Sequence, residues 1–122
     1  MYREISAWLD NVLARHIPEE VGAFCFNIYA DAWDNWSMEL VGAEAYDPRD
    51  PDWPCCEVTD MGSRAHMFLW EVSIGWHQAV REMGKYIVRY LEEGEHATAL
   101  RQADAVAVAY VGGVPQVLWK KK

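Results

Sequence analysis

The stretch YDPRDPDWPCCEV, residues 46–58, contains the side chains best suited to chemistry. Its vicinal cysteines, Cys55 and Cys56, are potential ligands of a soft metal, together with Cys25 or a histidine. Structural zinc sites usually separate their cysteines by two to four residues, whereas adjacent side chains of an extended segment point to opposite sides. We therefore expect one cysteine to be a small buried hydrophobe and the other a semi-exposed thiol. The sequence predicts no metal and no cofactor.

Other catalytic arrangements find little support in the sequence. Nucleophilic catalysis by a cysteine needs an oriented base and an oxyanion donor, and no local motif links a cysteine to any of the four histidines. The acid pairs Asp50/Asp52 and Glu92/Glu93 belong to no calcium loop or metal-binding helix motif. We predict no enzyme. The alternative is a small metal- or thiol-dependent enzyme that uses Cys55 and Cys56 with a histidine.

Length and composition indicate a single domain, residues 1–122. With 52% hydrophobic residues, a chain of this size needs no covalent staple to fold. Three cysteines form no disulfide framework. The N-terminus carries charges throughout, unlike a signal peptide, and no apolar run approaches the ~20 residues that span a bilayer. We expect a soluble cytoplasmic protein.

The negative charge is concentrated in residues 31–60. The net charge is −8, and this segment holds nine acids against one base, Arg49, so that 1 − 9 = −8. The other residues cancel one another. Nucleic acids and anionic membranes are poor partners for such a segment, because both are bound through Lys and Arg clusters. A cationic partner would suit it.

The acidic segment also carries tryptophans, which are common at the centres of protein interfaces, while charged rims speed encounter with an opposite charge. The competing interpretation is that Trp36 and Trp53 anchor the core and the acids only solubilise the protein, as in an adaptor domain of unassigned role. The predicted partner-binding residues are Asp31, Trp33, Asp34, Glu39, Glu44, Asp47, Asp50, Asp52 and Trp53.

Hydrophobic periodicity predicts the elements around this segment. Residues 2–17 have one apolar helical stripe, ended by Pro18. Residues 22–30 and 36–46 read as two strands joined by a turn at 31–35. In the first strand, Phe24, Phe26 and Ile28 share one face and Cys25, Asn27 and Tyr29 the other; the second alternates Trp36, Met38 and Leu40 with Ser37, Glu39 and Val41.

The second half of the chain begins with a proline-rich loop. Three prolines exclude a helix or central strand from residues 46–64, and residues 66–72 are a possible third strand. Residues 73–93 form a long helix, with Gly94 as its left-handed cap and a short helix after it. Two strands around Gly112-Gly113 close the chain. The fold class is α+β: an antiparallel sheet of four to five strands with an N-terminal helix and one long central helix, in the order α-β-β-(β)-α-β-β.

Several segments together resemble a family of small bacterial cytoplasmic proteins. They are FNIYAD, MELVGAEAYDPRDPDWPCCEV, the helix end VRYLEEG and the terminal AVAVAYVGGVPQVLW, and the resemblance covers nearly the whole chain. The shared pattern is Glu39 to Gly42, Tyr46-Asp47, Asp50 to Trp53, a cysteine at 55 or 56, and Glu57-Val58. The prolines 48, 51 and 54 depart from the mostly acidic stretch of that family.

Proteins of this kind resemble either the immunity proteins of bacterial polymorphic toxin systems or the products of genes of unassigned role. The resemblance implies a protein that binds a cognate toxin, often a basic nuclease, and blocks its active site. The expected partner is thus a protein toxin or another basic protein, and the oligomeric state is left open.

Overall fold

A computed structural model describes all 122 residues as a mixed six-stranded sheet with three helices. The elements are α1 Tyr2–Leu13, β1 Ala23–Ala30, β2 Asn35–Ala43, β3 Glu57–Thr59, β4 Phe68–Glu71, α2 Trp76–Glu93, α3 Ala97–Arg101, β5 Ala105–Tyr110 and β6 Gln116–Lys120. The α+β class is therefore confirmed, with more strands than the four to five predicted. No helix in it is long and apolar enough to cross a membrane.

The prediction of a purely antiparallel sheet is wrong. The strand order is β3-β2-β1-β5-β6, with β4 also paired to β2, and β1 lies parallel to β5. Both predicted hairpins, β1–β2 and β5–β6, are present and antiparallel. The second hairpin follows two helices that carry the chain from one end of the sheet back to the other, so β5 enters alongside β1 in the same direction.

One face of the sheet is covered by the helices and forms the main core. Phe24, Phe26 and Ile28 of β1 are fully buried there beside Met38 and Leu40 of β2, as the alternation predicted. Gly84 brings α2 close to the sheet, because a Cβ at this position would lie 3.3 Å from the Leu118 side chain. Because all three helices lie on this face, the opposite face of the sheet is covered only by other segments.

The opposite face of the sheet carries mostly small residues near the start of β1. Cys25, Val41, Ala43 and Ala107 form a second buried cluster, which Trp53 closes from above with 4% of its surface exposed. The proline-rich loop is thus pinned across this part of the face. Of the two roles considered for Trp53, the structure assigns it to the core.

Several predicted boundaries need correction. Helix α1 ends at Leu13 and not at residue 17, since Pro18 disfavours helical backbone at the residue before it and the chain leaves the helix a turn earlier. The long helix begins at Trp76. The loop predicted over 46–64 contains the short strand β3, which pairs with the end of β2.

Gly94 is not the left-handed cap that the sequence predicted. Its φ is −70° and its ψ is 151°, which is extended backbone. A Cβ at residue 94 would lie 2.5 Å from ring atoms of Tyr90. The glycine is needed for the close approach of this buried ring.

Candidate functional site

A cleft of about 280 Å³ opens on the helix-free face of the sheet, above the part that Trp53 covers. Its floor contains Asn27, Tyr29 and Glu39. One wall is the proline-rich loop with Asp52 and Cys55, and the opposite wall is the β5–β6 turn. Glu57 and Arg64 complete the lining. The cleft brings together polar groups from four separate segments, which is the usual composition of a binding site.

Glu39 is the buried charged group at the base of the cleft. Only 2% of its surface is exposed, although it lies on a central strand. The amide of Asn27, directly opposite in the strand register, lies 3.4 Å from Oε2, and the hydroxyl of Tyr29 donates a hydrogen bond to the same oxygen. Burial of a carboxylate is tolerated only when it is hydrogen-bonded or paired, and here it is both.

Arg64 supplies the positive charge that pairs with Glu39. Its Nε donates to Oε1 of Glu39 at 2.8 Å, and its terminal nitrogens donate to the two carboxylate oxygens of Glu57 at 2.6 and 3.3 Å. These hydrogen bonds, with that to Glu57 the strongest, raise the pKa of the guanidinium further above its ordinary value. One arginine thus joins a buried and a half-exposed carboxylate.

The tyrosine in the cluster is held in its neutral form. Burial, followed by its hydrogen bond to Glu39, raises the pKa of Tyr29 from 10.0 to about 12. A phenol with such a pKa remains a hydrogen-bond donor at neutral pH and is a poor general base. Tyr29 therefore keeps its proton at neutral pH and orients Glu39 by donating a hydrogen bond to it.

The aspartates of the proline-rich loop face solvent and are fixed by short-range hydrogen bonds. The carboxylate of Asp47 accepts the backbone N–H of Arg49 at 2.9 Å, and that of Asp50 accepts the backbone N–H of Asp52 at 2.9 Å. Such turns hold the backbone without using up the negative charge. With Trp53 buried and Tyr46 packed edge-on against it at 5.6 Å between ring centroids, the loop displays acids from a fixed frame.

The β1–β2 turn carries the most exposed aromatic side chain of the protein. Trp33 is 89% exposed. The N–H of Asn35 donates to the carbonyl of Ala32 at 3.2 Å, and the two central residues have positive φ, 59° at Trp33 and 63° at Asp34. This is a type I′ turn, whose positions normally hold Asn and Gly because other side chains are strained there. Trp33 gains no packing in return for that strain.

The nine predicted partner-binding residues separate into buried and accessible groups. Glu39 and Trp53 are buried and present no surface to a partner. Asp47 is partly exposed, and the other six are exposed: Asp31, Trp33, Asp34, Glu44, Asp50 and Asp52. Only Asp52 of these lies in the cleft, while Asp31, Trp33 and Asp34 lie at the end of the sheet beyond it.

Sequence reasoning missed four members of the cleft: Asn27, Tyr29, Glu57 and Arg64. The first two had a readable signal, because they alternate with buried residues on β1 and lie on the same face as Glu39. The ion pair of Arg64 with Glu39 had no sequence signal, since it joins residues 25 positions apart across an irregular segment.

No cysteine lies in a group of three potential metal ligands. All three cysteines are free; Cys25 is buried, and Cys55 and Cys56 are both exposed, contrary to the expectation that one of the pair would be buried. Burial raises the pKa of the Cys25 thiol to about 12. The group of three potential metal ligands that the fold does bring together is Asp10, Glu95 and His96, which contains no cysteine.

A larger hollow of about 610 Å³ lies near the start of β1, but it has no comparable chemistry. Its lining is mainly apolar, with Glu19 as the one charged side chain. Convergent polar groups therefore favour the smaller cleft as the candidate site. Comparison with family models, curated proteins and solved structures finds no match to the chain.

Proposed function

We propose that this protein is a non-enzymatic binding protein, most specifically an immunity protein that neutralises a basic bacterial toxin with the acidic surface of residues 31–60. The main support is the exposure of unpaired acid on a fixed frame. Within this segment, the ion pairs involve only Asp47, Glu39 and Glu57. The remaining carboxylates keep their charge free for a partner.

The arrangement of the loop strengthens this proposal. A segment rich in acids repels itself, and a surface that served only solubility would need no fixed backbone. Here a buried tryptophan and two side-chain-to-backbone turns hold the carboxylates in place. A surface prepared in this way loses little conformational freedom when it meets a partner of opposite charge.

The first test uses the product of the gene immediately upstream, the leading candidate for a cognate toxin. Asp47, Asp50 and Asp52 are replaced together by Asn, which keeps the oxygen that accepts the turn hydrogen bonds and removes three charges. The matched control replaces Glu82, Glu92 and Glu93 of α2 by Gln, which changes the net charge equally on the opposite side of the sheet.

We expect the loop variant to associate about tenfold more slowly at low salt and to lose most of its salt dependence, while the α2 variant keeps wild-type kinetics. Stopped-flow or surface-plasmon measurements at several salt concentrations give both values. Equal effects of the two variants would show that the loop aspartates have no specific role in binding. Failure of the wild-type protein to bind or neutralise the upstream product would reject the proposed toxin.

A thiol-dependent enzyme is the second candidate, and the position of Cys55 in the cleft wall is the observation that favours it. The double variant Cys55→Ser, Cys56→Ser separates the two. Undiminished neutralisation by that variant would end the thiol proposal.

A further inference from the structure

The cleft contains more negative charge than its own residues neutralise. Three carboxylates, those of Glu39, Asp52 and Glu57, line the cleft with one guanidinium, that of Arg64, so the formal charge of the lining is 1 − 3 = −2. Arg64 pairs with Glu39 and Glu57 only. The carboxylate of Asp52 makes no hydrogen bond or ion pair, although it lies in the wall of the cleft. The space is large enough for one long side chain.

Arg64 shows how this lining holds a guanidinium. Its three donor nitrogens each meet a carboxylate oxygen, at 2.6 to 3.3 Å. The group lies at one end of the cleft with half of its side chain exposed. The remaining lining, beside the β5–β6 turn, contains one further carboxylate, that of Asp52, which has no cation of its own.

We infer that the cleft binds the guanidinium of an arginine presented by the basic partner, an inference that rests on the proposed function and names the side chain it recognises. Arginine fits better than lysine for two reasons. A planar guanidinium pairs with carboxylates through a rigid fork and is less strongly hydrated than an ammonium ion. It also stacks on aromatic rings, and Tyr29 supplies a neutral ring in the floor.

The experiment uses small probes and so needs no partner. Nα-Acetylarginine methylamide is titrated into the ¹⁵N-labelled protein, and the amide shifts of Asn27, Ala109, Gly112 and Gly113 are followed. The citrulline analogue is the matched control, since it keeps the shape of arginine and lacks its charge. We expect saturable shifts confined to the cleft with Kd of about 1–10 mM, and no saturation with citrulline.

Two protein variants show whether the cleft or the overall charge is responsible. Asp52→Asn removes the unpaired carboxylate of the cleft, and Glu92→Gln removes one exposed charge from α2. We expect Asp52→Asn to weaken binding about fivefold, as for one half-exposed ion pair, and Glu92→Gln to leave it unchanged. Equal loss in both variants, or shifts spread over the whole acidic segment, would overturn the inference.

The remaining outcomes separate the cleft inference from the proposed function. Equal binding of the lysine analogue would refute recognition of a guanidinium. If the arginine probe does not bind while the loop variant of Asp47, Asp50 and Asp52 still slows toxin association, the cleft inference fails and the proposed function survives. If the arginine probe binds and the toxin does not, the cleft recognises a guanidinium and the proposed toxin is rejected.

Discussion

Replacing Trp33 by Asn and Asp34 by Gly tests whether the β1–β2 turn gives up stability for an exposed side chain. Both positions have left-handed backbone. A residue with a Cβ costs roughly 1–2 kcal/mol in this conformation, less for Asp, and Asn-Gly is the preferred pair for a type I′ turn. Because Trp33 is 89% exposed, its removal loses almost no packing. Asp34→Gly offsets part of this stabilisation, because glycine increases the conformational entropy of the unfolded chain.

The net expectation is a stabilisation of about 1 kcal/mol, or a rise in Tm of roughly 3–5 °C for a chain of this length. Urea unfolding followed by circular dichroism gives the free energy, and calorimetry gives Tm. Trp33→Leu is the matched control, since it removes the indole and keeps a strained residue; its stability should stay within about 0.5 kcal/mol of wild type. No gain in the double variant, or a loss, would refute the argument from strain.

The same double variant has a second expected outcome if the turn contacts the partner. The more stable double variant should bind the partner more weakly, because it lacks the one aromatic side chain of the acidic segment that is largely exposed. An exposed tryptophan at the centre of an interface contributes about 2 kcal/mol or more, which is roughly thirtyfold in Kd. Wild-type affinity in the double variant would exclude Trp33 as an anchor.

Three further perturbations follow from the helix-free face. Trp53→Ala should cost about 3–5 kcal/mol in urea unfolding and speed amide exchange across residues 46–56, because the buried indole pins that loop. Arg64→Ala should cost about 2 kcal/mol by leaving Glu39 buried without its cation, and the double variant with Glu39→Gln should recover part of that loss. Because burial raises the pKa of Cys25 from 9.0 to about 12, the folded state keeps this thiol protonated at a pH where the unfolded chain releases the proton. The free energy of unfolding should therefore fall by about 1 kcal/mol between pH 8 and pH 10, and urea titrations of Cys25→Ala should lack that fall.

Local patterns were sufficient to predict the faces of β1 and β2, the position of α2 and the two hairpins. Each depends on residues within about a dozen positions, where alternation and turn chemistry act directly. The parallel pairing of β1 with β5 joins residues about 80 positions apart and leaves no local signature. A two-residue hairpin signal at Gly112-Gly113 specifies the partner of β5 on one side only.

The candidate site was also predictable only in part. The acidic excess is a property of composition and could be counted, whereas the division of its members into buried and exposed depended on packing. Glu39 and Trp53 shared the sequence features of their exposed neighbours, but one lies beneath Arg64 and the other against the alanines of the sheet. Only the fold could separate them.

The stretch YDPRDPDWPCCEV combines a buried anchor with exposed charge. Trp53 and Tyr46 provide its contact with the sheet, and the prolines reduce the conformations open to it. The aspartates between them point outward and take part in no buried contact. Replacement by Asn should therefore remove charge with little effect on folding, because it keeps the oxygens of residues 47 and 50 that accept the turn hydrogen bonds. The charge of this surface is thus separable from its stability, as a recognition surface requires.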